Sequence, residues 1–304
     1  MSAPPSSSWG TDVARERAVS GRLVVLTGGG RGIGAATARA LAAEGARMVL
    51  LDLDADAAAA VAAEVDGASY GCDVTDLEGL PGVIDRIETE QGRIDVWINN
   101  AGIMPLNRIE DEPAATTRAI VELNLMAVLV STKELVRRFK GRGQRDGHVV
   151  NISSAAGRSP VAGAATYSAS KAAVSMFSNA LHFELRADEA GVDVSAVHPG
   201  MVSTELATGF TKTGGISPAT PEQVADAVLS VVRKPRMNVY VPAIIDTTLR
   251  VGGLMPSRLG EWTMRASGGD KVALAALADP ARAAYEQRAA HSAPAAEHPE
   301  ENPA

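Results

Sequence analysis

Seven short apolar runs punctuate the chain, and stretches long enough for helices separate them. The runs span residues 23–27, 47–52, 68–73, 96–99, 148–153, 192–198 and 238–241. Runs that are apolar almost throughout suit strands covered on both faces. The intervening stretches, among them 34–44, 55–65, 77–91, 116–140 and 165–188, provide the crossover helices that parallel neighbours need. The pattern predicts an α/β fold over residues 21–245, a doubly wound seven-stranded parallel sheet with helices on both faces. No repeat of fixed period appears.

Composition agrees with a packed chain. Of 304 residues, 46% are apolar and 21% charged, too apolar a balance for disorder. A formal charge of -7 argues against a general nucleic-acid binder, which carries a basic face. Cys72 is the single cysteine, which excludes a disulfide framework and points to a reducing, cytoplasmic compartment. No apolar stretch approaches the ~18–20 residues of a membrane-spanning helix. Residues 1–20, rich in Pro, Ser and charge, lack the apolar core of a secretory signal and are expected to form a flexible leader. Residues 246–288 read as an extension of short helices and residues 289–304 as a disordered tail.

The first run leads directly into Gly28-Gly29-Gly30-Arg31-Gly32-Ile33-Gly34. A strand, a glycine turn and a helix start present free backbone N–H groups and the positive end of a helix dipole to a diphosphate. The spacing is Gly-x3-Gly-x-Gly at 28, 32 and 34, and no Gly-Lys-Ser/Thr follows, which excludes a P-loop. Asp52 ends the second run, eighteen residues beyond Gly34. A carboxylate there accepts hydrogen bonds from the adenosine ribose and repels a 2′-phosphate, which favours NAD over NADP. Arg31 is the counterweight, since it lies where a 2′-phosphate is within its reach.

Tyr167 and Lys171 are four residues apart and share one helix face. An ammonium beside a phenol favours the phenolate, so Tyr167 is a candidate general acid/base whose pKa Lys171 lowers. The fifth run ends in Ser153-Ser154. Strand ends on this side of an open α/β sheet face the ligand crevice, where a serine can hold a substrate oxygen. Alone, Tyr-x3-Lys is more often a surface pair; the glycine turn in the same chain gives it weight.

With Asp73-Val74, Asn99-Asn100-Ala101-Gly102, Asn124 and Pro199-Gly200-x-Val202-x-Thr204, these motifs resemble the short-chain dehydrogenase/reductase family in its compact single-domain branch, over residues 21 to about 245. The resemblance implies a Rossmann-type fold and a nicotinamide cofactor held at Gly28, Arg31, Gly32, Ile33, Gly34 and Asp52. Asp73 and Val74 would border the adenine, and Asn100 would line the cofactor channel. Lys171 would bind the nicotinamide ribose, and Val202 and Thr204, after Pro199 and Gly200, would fix the carboxamide. Ser154 would polarise the substrate oxygen, Tyr167 would move its proton, and Asn124 would help connect Lys171 to solvent through a water relay. The family commonly forms dimers or tetramers through two long helices, here 116–140 and 165–188, so a homo-oligomer is expected.

Substrate choice is expected after Pro199-Gly200. Residues 205–216 are Gly- and Thr-rich, with one Lys and no Arg, and read as a mobile lid with little to clamp an acid. The expected substrate is a hydrophobic secondary alcohol or its ketone. Residues 246–288 have two readings: they lie over the site and lengthen an apolar pocket, or they pack outside at a subunit contact or peripherally on a membrane. In the membrane reading Arg236, Arg250, Arg258 and Arg265 would face lipid headgroups. The rival functions are an NADP-dependent ketoreductase and a non-catalytic NAD-binding regulator. Cys72, at the end of an inner strand, and His198 read as packing residues, and the five histidines lack zinc-type spacing, so no metal is expected.

Overall fold

The computed structural model describes residues 16–210, 217–266, 272–277 and 279–291. Strand β1 (Leu23–Thr27) is followed by α1 (Gly32–Ala43), β2 (Arg47–Asp52), α2 (Ala55–Glu64) and β3 (Ala68–Gly71). Then come α3 (Leu80–Gln91), β4 (Val96–Asn99), α4 (Ala114–Val121), α5 (Ala127–Gly141) and β5 (His148–Ile152). The long α6 (Ala165–Ala187) precedes β6 (Asp193–Pro199), α7 (Pro221–Arg233) and β7 (Asn238–Val241). Four short helices complete the described chain: α8 (Ile244–Gly252), α9 (Ser257–Ala266), α10 (Val272–Ala276) and α11 (Ala283–His291).

All pairings are parallel, in the order β3-β2-β1-β4-β5-β6-β7. This is the Rossmann arrangement, and the order reverses between β1 and β4, where the carboxyl ends of the strands open a crevice. Within β1, Val24 and Leu26 face a core shared with Leu41 of α1, Val61 of α2 and Val228 of α7. Leu23 and Val25 face the opposite core, with Ile87 of α3 and Leu135 and Phe139 of α5. Each such large apolar side chain contributes roughly 1.5–3 kcal/mol on burial, so the two sheet faces dominate the stability. Local signals then set the helix starts. Thr220 and Gln223 form a capping box on α7 with Pro221 inside it, and Asp54 caps α2 by accepting from the Ala57 N–H.

Several boundaries differ from the sequence reading. Residues 16–20 are docked: the Arg17 N–H donates to the Arg233 carbonyl, its guanidinium pairs with Asp193 at 2.5 Å, and Val19 is buried in the core. Residues 1–15 lie outside the described residues. The single helix expected over 116–140 is interrupted by a π-helical turn, Glu122–Met126, between α4 and α5. β3 is an edge strand, so Cys72 follows an edge strand rather than an inner one. Helix α11 runs to residue 291, with Ala289 buried, so the first part of the expected tail is helical, and the remainder lies outside the described residues. Among the described residues, no helix is long and apolar enough to cross a membrane.

Candidate active site

The glycine turn meets the crevice at the end of β1. Gly28 and Gly32 adopt φ of +66° and +53°, a region that L side chains rarely enter. Gly34 is required for a different reason: a Cβ there would lie 1.9 Å from the Gly28 carbonyl oxygen. Asn100 braces the turn from the end of β4, donating through Nδ2 to the carbonyls of Thr27 and Gly28 at 3.0 Å each. Thr27 Oγ1 in turn accepts from the N–H groups of Asn100 and Ala101 at 3.0 and 3.1 Å. Asp52 Oδ2 accepts from the Gly30 N–H at 2.9 Å, and its Oδ1 accepts from Asp54. Arg31 forms an ion pair with Asp54 at the exposed rim.

These residues border a cleft of about 470 Å³. Gly28, Arg31, Gly32, Ile33 and Asp52 line its glycine-turn end, and Asp73, Val74 and Asn100 extend the wall. Thr204 closes the opposite lip, with Cγ2 3.5 Å from the point where a Gly32 Cβ would sit. An open backbone turn at a helix start, with a carboxylate beside it, fits a dinucleotide: amides for the diphosphate and an acceptor for a ribose.

A second cleft of about 270 Å³ is lined by Ser154, Tyr167, Lys171, Pro199, Gly200 and Val202. Both clefts include Ile33, Asn100, Gly102 and Thr204, so they adjoin. Ser154 caps a short 3-10 turn, its Oγ accepting from the Ala156 N–H at 3.1 Å. One turn apart on α6, Tyr167 and Lys171 are buried together, with Lys171 Nζ 5.9 Å from the phenol ring centroid. Nζ donates to the Ile152 carbonyl at 2.9 Å. Burial pushes the Tyr167 phenol up, while a hydrogen bond with Ser154 pulls it back. Burial also lowers the Lys171 ammonium to about 8. Desolvation thus sets the direction for the phenol, and the group that opposes it is Ser154 rather than the ammonium.

Asn124 lies in the π turn and is fully buried. It clasps the backbone after β4, accepting from the Ile103 N–H at 2.9 Å and donating to the Ile103 carbonyl at 2.8 Å. Gly102 lies between Asn124 and Lys171: a Cβ on it would be 2.9 Å from Asn124 Oδ1 and 3.5 Å from Lys171 Nζ. His198 is held by Asn238 at 2.8 Å and stacks on Tyr240, in keeping with a packing role. Burial pushes the Cys72 thiol up to about 11, away from the range of a reactive thiolate.

The sequence reading missed the apolar wall of the second cleft. Met104, Leu206 and Phe210 line it, and Ala273 and Ala276 of α10 pack in the same cluster as Met104 and Tyr167. The reading that places the extension over the site fits its later part. Residues 272–277 and 279–291 lie against the site, whereas none of the described side chains of α8 and α9 is buried. Of the expected lid, 205–207 form a 3-10 turn, and residues 211–216 lie outside the described residues.

Comparison with known proteins agrees with this geometry. A family model for short chain dehydrogenases matches residues 22–214. The probable oxidoreductase EphD of Mycobacterium tuberculosis is 35% identical over 249 residues, covering 74% of this chain and 42% of that protein. The chain thus spans less than half the length of this relative. A crystal structure of 3-ketoacyl-(acyl-carrier-protein) reductase from Brucella melitensis complexed with NADH superposes with a TM-score of 0.68 and 26% identity, over 73% of this chain and 97% of that one. A metagenomic short-chain oxidoreductase in complex with NADP gives a TM-score of 0.62 and 31% identity, over 74% and 97%. The fold and the crevice are those of an NAD(P)-binding Rossmann fold of the kind found in short-chain oxidoreductases. The chain belongs to the short-chain dehydrogenase/reductase family.

The contact at Gly34 leaves no room for a methyl group. Gly34→Ala is expected to lose about 1–3 kcal/mol in urea denaturation, as overpacking does, and to weaken NADH binding by tenfold or more in a fluorescence titration. Unchanged midpoint and affinity would show that the contact does not shape the turn.

Proposed function

We propose that the protein interconverts a hydrophobic secondary alcohol and its ketone, with Tyr167 as general acid/base. The observation that carries this reading is the buried Ser154–Tyr167–Lys171 cluster lining the second cleft, which adjoins the first. A bound nicotinamide supplies or accepts the hydride at the substrate carbon. In the reducing direction, Tyr167 Oη gives its proton to the carbonyl oxygen as that carbon becomes a carbinol. In the oxidising direction it takes the proton back. Ser154 holds the same oxygen, and Lys171, close to the phenol ring, stabilises the phenolate when its ammonium is charged. The wall of Met104, Val161, Leu206 and Phe210 supports an apolar substrate. Tyr167→Phe is expected to lower kcat by at least about a hundredfold, the usual contribution of a general acid/base, while NADH affinity stays within about twofold. Activity above a few per cent of wild type would remove Tyr167 from the mechanism and leave the non-catalytic reading standing.

NAD is the favoured cofactor. Asp52 borders the cleft, while the one guanidinium in the turn, Arg31, is engaged by Asp54. Each phosphate charge brought beside Asp52 meets like charge. NADH is expected to bind about tenfold more tightly than NADPH in parallel titrations, and Asp52→Ala to narrow the gap. Tighter NADPH binding would favour the reading in which Arg31 takes the 2′-phosphate.

A homodimer or homotetramer is supported by Met176 and Phe183, which are 69% and 64% exposed and seven residues apart on α6. Apolar side chains at that spacing lie on one helix face. Met176→Glu with Phe183→Glu is expected to halve the mass, or more, in multi-angle light scattering, and an unchanged mass would exclude this face. The reducing compartment inferred from Cys72 supports a cytoplasmic site of action.

A further inference from the structure

The last described segment, residues 279–291, reaches both rims of the candidate site. Arg282 is only 2% exposed. Its Nη1 donates to the carbonyls of Leu206 and Thr208 at 2.9 and 3.0 Å, and its Nη2 donates to the carbonyl of Met104 at 2.5 Å. Nε pairs with Glu286 at 2.6 Å. Tyr285 Oη accepts from the Met104 N–H at 2.7 Å, and Glu286 accepts from the Leu106 N–H at 3.3 Å. One buried guanidinium thus joins the loop after β4 to the segment after β6, both of which contribute to the wall of the second cleft. A guanidinium suits this, since its planar fork offers five N–H donors in fixed directions.

Beyond that anchor, α11 runs along the first cleft. Tyr285, Arg288 and Ala289 line it together with Gly28, Arg31 and Gly32. Thr204 packs over Gly32, Glu205 follows it, and Arg288 Nη2 pairs with Glu205 at 2.7 Å. Both partners of that pair are about half exposed, so the pair is weak and readily exchanged. A diphosphate at the glycine turn would offer an arginine a stronger, charge-assisted contact.

We propose that residues 279–291 form a strap over the cofactor cleft, anchored by Arg282, which opens to exchange the dinucleotide. In the loaded protein Arg288 leaves Glu205 for the cofactor diphosphate. The proposal rests on the reading of this cleft as the dinucleotide site. It makes Arg288 a cofactor-binding residue supplied from outside the glycine turn, and Glu205 its competitor for the same guanidinium.

Calorimetric titration with ADP-ribose, which carries the diphosphate but no nicotinamide, separates the two assignments. Arg288→Gln is expected to weaken ADP-ribose about tenfold, Arg288→Lys by less, and Glu205→Gln to tighten it several-fold. The double variant should match Arg288→Gln. For the strap itself, truncation after Leu277 is expected to raise the NADH dissociation rate about tenfold in stopped-flow fluorescence. Arg282→Lys, which keeps the charge and loses the fork, should raise it by less should the truncated chain fail to fold. An Arg288→Gln variant that binds ADP-ribose as wild type does would overturn the diphosphate contact. An unchanged dissociation rate in a folded truncation, or in Arg282→Lys, would overturn the strap. If the wild-type chain bound neither ADP-ribose nor NADH, the cofactor assignment of the cleft would fall, and this proposal with it.

Discussion

The approach of Gly34 to the Gly28 carbonyl is the contact on which the crevice depends. A Cβ at position 34 would sit at 1.9 Å, so this geometry exists only without a side chain. The contact brings the first turn of α1 against the end of β1, which turns the free N–H groups of the helix start toward the crevice. Asn100 can then reach both Thr27 and Gly28 from the end of β4. One side-chain amide thereby joins the two strands that flank the topological switch point. Thr204, arriving from the far side of the sheet, rests over Gly32. Three segments distant in sequence thus meet at the glycine turn.

Burial is the second constraint, and it acts on charge. Lys171 and Tyr167 occupy the buried face of α6, where desolvation works against both ionised forms. The surroundings are polar enough to make this tolerable. Lys171 Nζ is held by the Ile152 carbonyl, and Ser153 Oγ donates to the Lys171 carbonyl at 2.8 Å. Deeper in, Asn99 Nδ2 donates to Asn151 Oδ1 at 2.8 Å, and Asn151 donates to Ser178. This network connects β4, β5 and α6 beneath the site. Buried polar groups with partners favour one arrangement over others, because each alternative leaves a donor or acceptor unmet. The π turn belongs to the same logic, since it carries Asn124 to the backbone of Ile103.

What the sequence reveals and what it conceals follow from the range of the interactions. The alternation of runs reports burial on two sheet faces, a property of neighbouring residues, so the strands and their parallel arrangement were legible. The glycine turn and the Tyr167–Lys171 pair are also local, each complete within seven residues. Arg282 was illegible for the opposite reason: its acceptors are main-chain carbonyls 74, 76 and 178 positions away. Carbonyls carry no residue identity, and no motif announces them. Arg17 was hidden in the same way, tied by its backbone to Arg233. The π turn leaves the apolar periodicity of residues 116–140 almost unaltered. The desolvation of the Tyr167 phenol is likewise invisible in sequence, whereas its Lys171 neighbour is plain.

The extension illustrates the same limit with a consequence for function. Its first half carries the larger apolar side chains, yet α8 and α9 bury none of their described side chains while the alanine-rich α10 and α11 are packed against the site. The difference lies in what each half meets. Ala273 and Ala276 of α10 join the cluster that contains Tyr167, Met104 and Ala164. Small side chains there let the helix come close to the apolar wall. Next in the chain, Arg282 holds the carbonyls of Met104, Leu206 and Thr208, and α11 continues along the neighbouring cleft. Met104 and Leu206 therefore serve twice, as wall of the second cleft through their side chains and as anchor for the extension through their carbonyls. A displacement that withdrew Arg282 would release those carbonyls, and with them the support of the apolar wall beside Tyr167.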